Sequence, residues 1–125
     1  MGLVLDSGAM IAFERGDRQV AALVEAARRR KERVVTSSGC VAQVWRDGTR
    51  QVLLARLLAG TVEEPLGPAQ SRSVGRLCAA ARTGDVVDAH LASLAGDRDI
   101  VLSSDPAYVR HLLGATGSAA TVHPC

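Results

Sequence analysis

The sequence predicts an α/β domain on a mainly parallel sheet flanked by helices, and three observations carry that prediction. Short apolar runs, Leu3-Val4-Leu5, Val34-Val35-Thr36 and Ile100-Val101-Leu102, lack polar alternation and fit strands covered on both faces. Between them lie segments with apolar residues at helical spacing, as at Val20, Leu23, Val24 and Ala27. Turn signals such as Asp47-Gly48 and Thr83-Gly84 separate the segments, with no internal repeat, linker or low-complexity tract. A chain of 125 residues fits one domain, 1–125, with a real core, and is too short for two.

Taken in order, Gly2–Leu5 predicts the first strand, ending at Asp6. Ser7 and Gly8 break its pattern before a short helix over Ala9–Glu14 and a longer one over Arg18–Arg30. Val34–Thr36 predicts the second strand, followed by Ser37 or Ser38 as a cap and a helix over Val41–Arg46. Another helix over Arg50–Leu58 stops at Gly60, and Thr61–Pro65 reads as an edge strand because Pro65 would interrupt a central ladder. Pro68–Arg82 is amphipathic, with Val74, Leu77, Cys78 and Ala81 on one side, and Val86 to Ala95 forms a further helix. Ile100–Leu102 predicts the third buried strand, and Ser103-Ser104-Asp105 leads into a helix from Pro106 to Leu113, with proline at its allowed first turn. Ala120–Val122 closes the sheet.

Composition narrows the function classes. Aromatics are only 2% of a chain that is 47% hydrophobic, so Ala, Val and Leu build the core and no aromatic platform for stacking bases is available. The net charge of +2 is too mild to identify a nucleic-acid binder by itself. Its basic side is nearly all arginine, which suits bidentate phosphate contacts and equally suits a GC-rich coding sequence. Cys40, Cys78 and Cys125 are odd in number and show no CxxC spacing, which speaks for a reducing cytoplasm and against a disulfide framework or zinc site. No signal peptide or membrane-length apolar run is visible, so a cytoplasmic protein without a membrane partner is expected.

The acids carry the chemistry. In parallel α/β sheets ligands bind outside the carboxyl ends of the strands. Asp6 follows the first strand, Asp105 follows the third after two serines, and Asp88 starts a helix in Asp85-Val86-Val87-Asp88-Ala89-His90. Two carboxylates about 4 Å apart repel by roughly 4 kcal/mol at an effective dielectric of 20, and a bound divalent cation removes that cost. All-oxygen ligation points to Mg²⁺ or Mn²⁺, which can orient a water for attack on a phosphodiester. Asp6, Asp88 and Asp105 are therefore the expected metal ligands, with Ser103 placed to hydrogen-bond a carboxylate. Structural readings stand beside these: Asp85 and Asp88 approximate a capping box, Asp105 can cap the helix after it, and Asp6 has no obvious capping role.

Leu3-Val4-Leu5-Asp6-Ser7, Asp85-Val86-Val87-Asp88-Ala89-His90-Leu91-Ala92 and Val101-Leu102-Ser103-Ser104-Asp105, in this order and strand context, resemble a PIN domain. The resemblance covers nearly the whole chain and is nearest to the VapC toxins of bacterial toxin–antitoxin pairs. It implies a Mg²⁺- or Mn²⁺-dependent endoribonuclease that cleaves RNA, a homodimer, and a small antitoxin whose tail enters the active-site groove. It carries acidic site roles to Asp6, Asp88 and Asp105, and a hydroxyl role to Ser103. One position departs: Gln43 stands where the family usually has a glutamate, so metal binding is expected to weaken unless Asp85 compensates.

Other features have plainer readings. Arg28-Arg29-Arg30-Lys31 suits a helix C-terminus, or alternatively an RNA backbone. Trp45 and the Leu53-Leu54, Leu57-Leu58 stripe read as core or interface, and His90 as packing or solvent-facing rather than as a base. The alternative function is a catalytically impaired module that binds RNA or a partner protein without cleavage. A phosphatase is disfavoured because Gly8 occupies the position of its second acid.

Overall fold

The structure, a computed structural model, describes residues 1–125. Its order is β1 (Leu3–Leu5), α1 (Ser7–Glu14), α2 (Arg18–Arg29), β2 (Val34–Ser37), α3 (Ser38–Val44), α4 (Val52–Ala59) and β3 (Val62–Glu64). There follow α5 (Pro68–Ala81), α6 (Val86–Ser93), β4 (Ile100–Ser103), α7 (Pro106–Thr116) and β5 (Thr121–Pro124). All five strands are parallel, in the order β3-β2-β1-β4-β5. β1 is central: Leu3 and Val4 face Val34 and Val35 on one side, and Leu3, Val4 and Leu5 face Ile100, Val101 and Leu102 on the other.

This order fixes the layers. Right-handed crossovers that step from β1 toward β3 put their helices on one face, and those that step from β3 through β4 to β5 put theirs on the opposite face. The packing agrees, since α1 contacts α2, α3 and α4, while α5, α6 and α7 contact one another. The sheet is thus covered on both sides, which explains the continuous apolar strands. Val4, Leu5, Val34, Val101 and Leu102 are buried against Met10, Val20, Val24, Leu54, Leu57, Leu91 and Leu112, and a smaller cluster joins Val74, Leu77 and Cys78 to Ala89.

Several boundaries differ from the sequence reading for local reasons. Ser7 and Gly8 belong to α1, because Asp6 caps that helix by accepting from the Ala9 N–H at 2.7 Å. The third helix starts at Ser38, since the Ser37 hydroxyl caps it at Cys40 (3.1 Å), and it ends at Val44. β3 is an edge strand as expected, stopping before Pro65. In the leucine stripe Leu54 and Leu57 are core, whereas Leu53 is exposed. The thiols of Cys40, Cys78 and Cys125 are all free. No helix is long and apolar enough to cross a membrane.

Candidate active site

The chain reverses its direction of travel across the sheet between β1 and β4. At such a switch point the connections leave on opposite faces and open a crevice at the carboxyl edge, the usual ligand site of open α/β sheets. Asp6 leaves β1 there, and Ser103, Ser104 and Asp105 leave β4. The helices that begin at this edge bring the remaining groups, α6 carrying Asp88 with Asp85 at its cap, and α3 carrying Gln43.

Asp6 is buried and doubly held. Besides the Ala9 N–H on Oδ1, its Oδ2 accepts from the Ser104 N–H at 3.2 Å, joining the β1 and β4 exits across 98 residues of sequence. No capping role is obvious for Asp6 in the sequence, and the structure corrects that reading. A capping carboxylate here satisfies two backbone donors and still keeps lone pairs free on both oxygens. Gly8 permits the arrangement, because a Cβ on it would stand 2.1 Å from the Ser104 Oγ.

Asp105 is exposed at the start of α7, where its Oδ1 lies 3.4 Å from the Tyr108 N–H in a long capping contact. Ser103 is fully buried, and its hydroxyl accepts from the Asp105 N–H at 2.9 Å. Its visible task is therefore to shape the turn that presents Asp105. Asp85 caps α6 by accepting from the Asp88 N–H at 3.1 Å, but the reciprocal half of a capping box is absent: the Asp85 N–H goes to the Thr83 hydroxyl at 3.1 Å. Thr83 also bonds the Tyr108 hydroxyl at 2.6 Å, tying the Asp85 turn to the helix that Asp105 caps. Neither this Thr83–Tyr108 link nor the part played by Ser104 has a sequence signal that would have revealed it.

The electrostatics centre on Asp88. Its half-buried carboxyl is pushed up from 3.8 to about 7, first by desolvation, then by a hydrogen bond and repulsion from Asp85, then by the negative charges of Asp6 and Asp105. The three acids expected from the sequence are thus close enough to feel one another, with Asp85 as a fourth. The nearby Cys40 thiol is also raised, chiefly by burial, with Asp6 and Asp88 adding to the shift. Gln43 is exposed beside the site and accepts a hydrogen bond from the Ser7 hydroxyl.

No three His, Cys, Asp or Glu side chains form a closed group able to hold an ion unaided. The donor chemistry fits a hydrated hard cation better than a protein cage, because Mg²⁺ keeps several waters and takes only one or two carboxylates. Asp6 and Asp105 offer free carboxylate oxygens for that purpose, and Asp88 offers one once its proton is lost. No family model and no curated protein matches the chain.

The basic run falls away from this edge. α2 runs back to the start of β2, so Arg28–Lys31 lie at the opposite edge of the sheet, and the Arg28 guanidinium donates to the Leu57 carbonyl at the end of α4 at 2.8 Å. His90 is buried with its Nε2 unpartnered, and burial lowers its pKa, so it packs as a neutral ring. Trp45 is 39% exposed and, with Val41, Ala55, Leu58 and Glu63, lines an apolar groove of about 340 Å³.

Proposed function

We propose that this chain is a PIN-like, Mg²⁺- or Mn²⁺-dependent endoribonuclease, the toxin of a toxin–antitoxin pair. The observation that carries the reading is the convergence of Asp6, Asp105 and the Asp85–Asp88 pair at the switch point, where burial first, and then the neighbouring carboxylates, raise the Asp88 carboxyl to about 7. Such a site lacks a positive charge. A divalent cation, when bound, supplies that charge and polarises the phosphodiester.

The chain's own residues then have distinct tasks. Asp6 and Asp105 would hold the cation, Asp6 being fixed through its two backbone hydrogen bonds. Asp88 is raised to about 7 without the cation, and would give up its proton once the cation offsets the neighbouring negative charge, leaving a carboxylate able to take a proton from an attacking water. The N-termini of α1 and α7 aim their dipoles at the same edge, which favours a phosphate there. Ser103 and Thr83 position Asp105 and Asp85 without touching substrate. A small antitoxin whose tail enters the active-site groove, and a homodimer, are part of the same proposal.

One observation favours a second reading, a binding module without cleavage: Gln43 brings no charge to a site that lacks a closed metal cage. Incubation of the purified protein with structured RNAs separates the two. Cleavage that requires Mg²⁺ or Mn²⁺ and is lost in Asp6→Ala supports the nuclease. Cleavage that survives in Asp6→Ala contradicts it, and RNA binding without any cleavage supports the module.

A further inference from the structure

A crevice of about 550 Å³ lies between α1, the start of α2, the β4–α7 turn and the end of β5. That volume is within the range of small-molecule sites. Two of its lining residues, Gly8 and Ser104, border the Asp6 carboxylate, so the crevice shares a wall with the acidic site.

Its other groups are of complementary kinds. Arg15 is exposed and forms no side-chain hydrogen bond or ion pair, the only ion pair of the chain joining Arg50 to Asp47 at 3.8 Å. Asp17 commits Oδ1 to the Val20 N–H at 2.9 Å and keeps its second oxygen free to accept. Ile11 and Ala12 form a half-buried apolar wall. The Cys125 thiol stays neutral, because burial, with Asp6 and Asp17 nearby, pushes it up to about 11. A free guanidinium, a free acceptor and an apolar wall match the phosphate, hydroxyls and sugar or base face of a ribonucleotide.

We infer that this crevice is a nucleotide subsite, holding the RNA residue next to the scissile phosphate, with Arg15 gripping the phosphate of that residue and Asp17 accepting from a ribose hydroxyl. The inference rests on the ribonuclease reading but is tested apart from it, by titrating the labelled protein with uridine 5′-monophosphate in EDTA and following backbone amide signals. Saturable shifts at Gly8, Arg15, Gly16 and Ser104 are expected. Arg15→Gln should weaken binding about tenfold, the worth of one charge-assisted contact, and Arg15→Lys should restore part of it. Shifts confined to other surfaces, or equal affinity in a folded Arg15→Gln protein, overturn the subsite. Should Arg15-dependent binding appear without metal-dependent cleavage, the subsite stands and the nuclease reading falls. Should cleavage require Asp6 while KM is unmoved by Arg15→Gln, the nuclease stands and the subsite falls.

Discussion

Replacing Asp88 by asparagine tests the charge balance of the site without touching RNA. In the folded protein the Asp88 carboxyl is raised from 3.8 to about 7. The native state therefore holds a proton that the unfolded chain releases, so stability falls as pH rises through this window. A rise of about 3 in pKa corresponds to roughly 4 kcal/mol, at about 1.36 kcal/mol for each tenfold change in proton affinity. Because Asp88 is only half-buried and open to salt, solvent screening reduces this to about 1–2 kcal/mol. For a domain of this size that is about 3–8 °C in Tm. The amide in Asp88→Asn cannot titrate. In EDTA, thermal unfolding followed by circular dichroism should show wild type and Asp88→Asn differing little at pH 4. Toward pH 8 the variant should become progressively the more stable of the two. Added Mg²⁺ should stabilise the wild type most at pH 8, and the variant, which keeps Asp6 and Asp105, by less. A difference between the two proteins that is the same at every pH would refute the reasoning, since it would mean that Asp88 does not titrate against its neighbours.

Three further outcomes are expected from the same geometry. Asp6→Asn keeps one accepting oxygen but turns its NH2 toward the other backbone donor, so it should cost about 1–3 kcal/mol in denaturant unfolding, while metal affinity drops by at least roughly 10–100-fold in calorimetry; equal metal affinity would remove Asp6 from the ligand set. Gln43→Glu adds the missing charge and should tighten Mn²⁺ binding about tenfold, roughly 1.4 kcal/mol, with cleavage rising in step. Gly8→Ala would drive a methyl to 2.1 Å from the Ser104 Oγ, so the β4–α7 turn must shift, at a cost of about 1–3 kcal/mol measured by urea unfolding.

The buried strands were legible because their apolar runs carry their own signature, and with them the parallel α/β class and the placing of Asp6 and Asp105 at strand exits. The cap at Asp6 was not, because Ser7-Gly8 has the composition of a break. Gly8 is needed there for a neighbour, Ser104, nearly a hundred residues later in the chain. The early start of α3 was hidden in the same way: Ser38-Gly39-Cys40 has weak helix propensity, yet a Gly39 Cβ would stand 3.2 Å from the Val87 side chain, so glycine serves close packing onto α6. Strand order follows from which surfaces pack, which is why the switch point and the Thr83–Tyr108 link appeared only with the structure.

The most direct measurement is a calorimetric titration of the metal-free protein with Mn²⁺ near pH 6.5, repeated in buffers of different ionisation enthalpy to count released protons. One saturable site is predicted, with release of a fraction of a proton that shrinks toward zero by pH 9, and with loss of the site in Asp6→Ala. No saturable binding, or saturable binding that persists in Asp6→Ala, would contradict a metal site built on Asp6.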